Sequence, residues 1–218
     1  MIKDNLHKVL ASLHDGVELV AVSKYHPIDA VREAYAEGQR VFGESREQEL
    51  RVKYDTLPKD IKWHFIGHLQ TNKVKYIAPY ITMIETVDSL RLMKEVNRQA
   101  ERCGRCIDIL LELHLAQEDT KSGMTPAECI AMLEGDEWHE YNNVRVRGIM
   151  MMASNTSDEE EIAREFDKAQ ECFDDIKARF FADEEYFDTK SYGMSNDYLL
   201  AQEHGSNHVR VGSSIFNV

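Results

Sequence analysis

Glu18-Leu19-Val20-Ala21-Val22-Ser23-Lys24, followed by Tyr25-His26-Pro27, runs an apolar stretch into a lysine. The apolar part reads as a buried β-strand, and the pattern after Pro27 is helical. A buried ammonium is costly and tends to shed its proton, and a neutral amine can form a Schiff base. The plainer reading is a lysine that snorkels from a strand end into water. The rest of the chain decides between them.

Outward from this stretch, strand-like and helix-like segments alternate. Met1–Leu13 is an opening helix with Ile2, Leu6, Val9, Leu10 and Leu13 on one face. Strands are expected at Glu18–Ser23, Arg40–Phe42, Trp63–Ile66, Ile81–Glu85, Ile107–His114, Val144–Met150, Phe187–Lys190 and His208–Val211. Helices are expected between them: Ile28–Glu37 stopped by Gly38, Ser45–Tyr54, near Thr71–Tyr76, from Asp88, from Thr125-Pro126, after Ser157-Asp158-Glu159-Glu160, and from Asn196. Ser157 suits the N-cap of a capping box with Glu160 at N3. Strands separated by helices imply parallel neighbours with right-handed crossovers. Eight such units, the last helix cut short, predict one closed (β/α)8 barrel over residues 1–218. An open doubly wound sheet is the competing α/β arrangement.

In a barrel the strand carboxyl ends form the active face. Lys24 lies there, with Gly43-Glu44-Ser45, Gly67-His68, Met150-Met151, Gly193-Met194-Ser195 and Gly212-Ser213-Ser214. Phosphates in such barrels commonly sit at the loops after strands seven and eight. Gly193 and Gly212 allow close backbone approach, Ser195 and Ser213 offer hydroxyls, and Arg210 adds a fixed positive charge. Taken singly, such Gly-Ser pairs are ordinary turns. Together, opposite a strand-one lysine, they form a constellation.

Composition bounds the partners. The 218 residues are 43% hydrophobic, and 26 Lys+Arg against 39 Asp+Glu give a net charge of −13. That balance argues against a nucleic-acid surface. No apolar run spans a membrane, the first residues lack a signal-peptide core, and the four cysteines do not suggest a disulfide scaffold. A cytoplasmic location is expected. Cys103-Gly104-Arg105-Cys106 has redox spacing but follows a helix rather than opening one, which disfavours a thiolate. His64 and His68 are four apart on a strand and its loop, where they do not converge, so no metal site is expected.

Five further segments carry a resemblance. They are Trp63-His64-Phe65-Ile66-Gly67-His68-Leu69-Gln70-Thr71-Asn72-Lys73, Lys121-Ser122-Gly123, Arg147-Gly148-Ile149-Met150, Gly193-Met194-Ser195-Asn196-Asp197 and Val209-Arg210-Val211-Gly212. With Ala21-Val22-Ser23-Lys24 they resemble, in order and spacing, the YggS/PROSC family of pyridoxal-phosphate (PLP) homeostasis proteins. The resemblance implies an alanine-racemase-like barrel, PLP fold type III, with an extra N-terminal helix. It implies PLP held as a Schiff base on Lys24, with Ser195, Gly212 and Ser213 cradling the phosphate, Met194 among the cofactor-binding residues, and Arg210 at either the pyridine nitrogen or the phosphate. The chain departs from the family at Ser45, usually Asn; at Tyr192, usually Met; and at Asn217, usually Gly.

The resemblance also implies a carrier or regulator in vitamin B6 homeostasis without robust catalysis and with no catalytic residue assigned. An arginine at the pyridine nitrogen weakens the ring as an electron sink. Alanine racemases take their second acid/base from an additional β-domain, for which 218 residues leave no room. Expected partners are PLP, free amino acids and PLP-dependent apo-enzymes, and the protein is expected to be a monomer. Two alternatives stand: a slow PLP-dependent amino-acid racemase drawing on Tyr25, His26, His64 or Tyr192, and a cofactor-free Schiff-base aldolase using Lys24.

Overall fold

Parallel strands cannot share a tight turn, so each apolar run must be followed by a crossover, and here the crossovers are helical. The computed structural model describes residues 1–116 and 122–217. Strands β1 (Glu18–Val22), β2 (Val41–Glu44), β3 (Lys62–Phe65), β4 (Met83–Val87), β5 (Ile107–Leu113), β6 (Val144–Met151), β7 (Thr189–Met194) and β8 (His208–Val211) pair in chain order. All pairs are parallel, and β8 returns to β1 with Glu18 opposite His208 and Val20 opposite Arg210. The barrel is closed, which excludes the open sheet.

The helices are α1 (Ile2–Ala11), α2 (Ile28–Ala36), α3 (Glu47–Thr56), α4 (Val74–Ile77), α5 (Leu90–Arg102), α6 (Pro126–Glu134), α7 (Glu159–Phe180), α8 (Tyr198–Glu203) and α9 (Ser213–Phe216). α6 opens as its sequence requires: Thr125 caps Glu128 N–H, Glu128 reaches back, and Pro126 takes N1. α7 buries Ile162, Phe166, Ala169, Phe173 and Ile176, the stripe its spacing predicts. Its cap is Asp158 rather than Ser157, since the carboxylate accepts from both Glu160 and Glu161 N–H. α1 buries Ile2, Leu6 and Val9 but leaves Leu10 exposed.

Boundary shifts matter at two strands. β7 begins at Thr189, not Phe187, because Phe187 is held outside the sheet by Phe173 and Phe181, at ring-centroid distances of 4.9 and 4.4 Å. At its other end β7 runs through Gly193 to Met194, which close the strand instead of following it. β2 runs on to Glu44, which makes that carboxylate a fully buried strand residue.

Most of the apolar core lies between barrel and helices. Ala21, Phe42, Trp63, Ile84, Ile109, Ile149, Tyr192 and Val209 join helix residues such as Val31, Leu50, Met93 and Phe166 in one cluster. Each such burial stabilises by about 1.5–3 kcal/mol. The lumen has only a small apolar cluster of its own, Met83, Leu110 and Met150. Val20, level with Arg210, also faces inward, but His64, Glu85, Ser191, His208 and Arg210 make the interior more polar than the usual branched aliphatic filling.

Candidate functional site

Lys24 follows β1 directly, and its neighbours fix it. Ser23 is buried: its N–H donates to Gly43 O, its hydroxyl to Glu44 (2.6 Å), and its carbonyl accepts from Lys53 Nζ (2.7 Å). Tyr25 adopts φ +66°, a left-handed conformation uncommon for an aromatic, and Glu49 accepts its N–H at 2.8 Å. The chain thus turns sharply, and Lys24 stands half-buried at the rim with Nζ 6.0 Å from the Tyr25 ring. This corrects the expectation that the lysine is buried. The buried lysine is Lys53, 3% exposed and paired with Glu44 and Glu49 at 2.7 Å each. Burial pushes the Glu44 carboxyl up, and Lys53 pulls it back.

The late loops meet as the sequence predicts. Gly212 N–H donates to Ser195 Oγ at 3.0 Å, which ties the β8 end to the β7 loop. Met194, Ser195 and Ser213 line one cavity of about 610 Å³ with Asn155 and Thr156 from the β6–α7 loop. The two glycines serve the protein's own packing. A Cβ on Gly193 (φ +89°) would meet Ala201 at 2.6 Å, and one on Gly212 would meet the Val22 carbonyl at 2.9 Å. Neither Lys24 nor Arg210 lines this cavity. Lys121 and Val218 lie outside the described residues.

Arg210 points into the lumen. It donates to Ser191 O (2.7 Å), Ser191 Oγ (2.5 Å) and Met151 O (2.8 Å). Ser191 Oγ donates to Glu85 Oε2 at 2.6 Å. The other Glu85 oxygen lies 2.8 Å from His64 Nδ1 and 3.1 Å from His208 Nε2, while His208 Nδ1 reaches Glu18 Oε2 at 3.2 Å. Burial alone would strip His208 of its proton, but Glu85 and Glu18 hold its pKa up at about 9. Burial likewise works to raise Glu85, yet His208 and His64 hold it well below the carboxylate range. Donor atoms of His64, Glu85 and His208 lie within 4.8 Å of one another, a spacing that could hold a metal ion. In this structure both imidazoles are hydrogen-bonded to Glu85, whose other oxygen lies 3.9 Å from the Arg210 guanidinium.

The sequence reading missed Glu85, His208, Ser191 and also Glu112. Glu112 is buried, accepts from Ser122 Oγ at 2.6 Å, and is pushed up by burial. Its Oε2 has no partner among the described residues. The signal was present as polar residues alternating within apolar strands: Met83-x-Glu85, Leu110-x-Glu112, His208-x-Arg210.

Other expected groups fall elsewhere. Tyr192 faces α7, stacked on Phe166 at 6.1 Å, fully buried and pushed up by desolvation, so it does not enter the lumen. His26 stacks on Phe216 at 5.0 Å and burial lowers its pKa. His68 is exposed, 3.7 Å from Asp88 and away from the His64 cluster. Cys103 caps the carboxyl end of α5, and both Cys103 and Cys106 are free and exposed. Ser45 packs at Gly67, whose added Cβ would meet Ser45 O at 2.5 Å.

The model of the alanine racemase N-terminal domain matches residues 1–218. A Schizosaccharomyces pombe protein named pyridoxal phosphate homeostasis protein is 35% identical over 202 residues, covering 92% of this chain and 83% of its own. The chain belongs to the pyridoxal phosphate homeostasis protein family. PipY of Synechococcus elongatus, solved with PLP bound, superposes on this family member with a TM-score of 0.89 at 33% identity, covering 99% of this chain and all of PipY. An alanine racemase from Streptomyces coelicolor is 19% identical with a TM-score of 0.77, over all of this chain and 58% of its own, a likeness of fold alone.

Proposed function

We propose that the protein binds PLP and acts in PLP homeostasis. One observation carries the reading. The β7 and β8 ends, joined by the Gly212–Ser195 hydrogen bond, share a hydroxyl-lined cavity on the face where Lys24 leaves β1. These residues fit the cofactor: Ser195 and Ser213 supply hydroxyls and Gly212 a backbone contact for the phosphate, with Met194 beside them. Lys24 would hold the cofactor through its aldehyde as a Schiff base. Bound there, PLP supplies an electron-withdrawing ring to whatever amine it carries. Arg210 is turned toward Ser191, Met151 and Glu85, away from Ser195 and Ser213, which favours the pyridine nitrogen over the phosphate as its target.

The same arrangement supports reading the protein as a carrier without robust catalysis. Of the four proton donors named for a racemase, Tyr192 is turned away, His26 is stacked on Phe216 and His64 is bonded to Glu85, which leaves Tyr25, exposed beside Lys24, as the donor a slow racemase would draw on. Free amino acids and PLP-dependent apo-enzymes are the proposed partners of a monomeric, single-domain protein. Among the described residues no helix is long and apolar enough to cross a membrane.

The purified protein should be yellow. Borohydride reduction followed by peptide mapping should place the pyridoxyl group on Lys24. A label on another lysine would refute the site, and a colourless protein that nonetheless cleaves sugar phosphates would favour the aldolase.

A further inference from the structure

A guanidinium buried in a barrel lumen needs a counter-charge and a rigid mount, because an unpaired buried ion is among the costliest groups in a protein. The three acceptors that Arg210 bonds, Ser191 O, Ser191 Oγ and Met151 O, are all neutral. The carboxylate beside it is Glu85, at 3.9 Å. Ser191 Oγ bridges the two, accepting from Arg210 and donating to Glu85. On its far side Glu85 is gripped by His64 of β3 and His208 of β8, and His208 is in turn backed by Glu18 at the start of β1. β4 and β8 stand opposite each other in an eight-stranded barrel, so this chain of contacts crosses the lumen.

We infer that Glu85 is a positioning residue for Arg210: anchored by His64 and His208, it fixes the guanidinium through Ser191 and so sets how the protein holds the cofactor ring. The inference rests on the reading that Arg210 serves the ring, and it adds the four side chains that make that arginine competent. Charge supports it. Glu85 is anionic, Arg210 and His208 are cationic, and Glu18 provides the balancing negative charge at the half-exposed end. Loss of the Glu85 charge would remove the carboxylate beside Arg210 and the anionic acceptor of the Ser191 hydroxyl, and the bridge that fixes the guanidinium would slacken. A residue that only stabilised the barrel would act on folding and leave no trace specific to Arg210.

A double-mutant cycle on PLP affinity separates these cases. PLP is titrated into ligand-free wild type, Glu85→Gln, Arg210→Met and the double variant, with the visible absorption of the bound cofactor as readout. Glu85→Gln should weaken binding about tenfold when Arg210 is present and less than twofold in the Arg210→Met background. Equal losses in both backgrounds, or no loss in either, would overturn the positioning role while leaving the ring reading intact. An Arg210→Met variant with unchanged affinity and band position would instead overturn the ring reading, and the inference with it. Should Glu85→Gln fail to fold, Ser191→Ala, which cuts the bridge and keeps both charges, carries the same cycle with the same expected coupling.

Discussion

The rim of the barrel and its lumen are both rich in polar groups, but the groups are used differently. At the rim Lys24 is half-buried, and Met194 and Ser213 are exposed at a cavity of about 610 Å³. In the lumen His64, Glu85, Ser191, His208 and Arg210 are all buried and bonded to one another. The same contrast separates two lysines that flank Ser23: Lys24 with an available amine, Lys53 locked between Glu44 and Glu49. Chemistry is left open where a ligand can arrive, and these five buried side chains beneath it are bonded to one another so that they hold a fixed geometry.

The sharpest break of this comparison is to exchange the roles of the two lysines. Lys53→Ala should cost about 3–5 kcal/mol of folding stability, because it strands the buried Glu44 carboxylate. Lys24→Ala should abolish the visible band of bound cofactor while changing stability by no more than about 0.5 kcal/mol, as for a surface substitution. Chemical denaturation and the absorption spectrum, run on both variants, check the pair. A stability loss in Lys24→Ala as large as in Lys53→Ala would erase the distinction.

Next in size is the rim itself. Ser195→Ala and Ser213→Ala should each weaken PLP binding by about 1–3 kcal/mol, the range for a charge-assisted hydrogen bond. Affinity for pyridoxal, which lacks the phosphate, should fall little. Unaltered relative affinity for the two ligands would remove both serines from the phosphate site.

The smallest effect is a slope, and it belongs to the lumen. His208 has its pKa raised from an ordinary 6.5 to about 9. Its contribution to stability is therefore complete below 6.5 and is lost as pH rises through about 9. Glu85 is shifted the other way, so its contribution is present above the ordinary carboxylate value of 4.5 and fades only in strong acid. Thermal midpoints should hold level below about pH 6.5, decline between there and about pH 9, and level off above it. His208→Gln should flatten that alkaline decline, and an unchanged decline would place its cause elsewhere.

The barrel, Lys24 and the two late loops were legible because each is a local pattern: an apolar run ending in lysine, a Gly-Ser turn after a strand. The lumen network was not, since its partners are far apart in sequence. Glu85 meets Ser191 across 106 residues and His208 across 123. No local periodicity marks which strands will face each other. Lys53 was hidden for a related reason. It sits on a helix whose other charges, Glu49 among them, read as an exposed face, and only the fold turns it onto Ser23 and Glu44. The shift of β7 turned on aromatic stacking at Phe187, a tertiary contact that overrides a strand-like run.

The seam between β1 and β8 has a consequence in time. It joins Glu18–Ala21 to His208–Val211, and Asn5 of α1 reaches the Ile215 carbonyl across 210 residues. Contacts that distant close late, because the loop entropy must be met before they form. Lys24 stands on one side of that seam, and Arg210 and Gly212 on the other. A folding intermediate with seven strands in place would own the lysine but not its counterpart. Capture of the cofactor thus becomes a kinetic marker of barrel closure. In a refolding experiment the visible band should rise with the slowest phase, after the helical signal has already recovered.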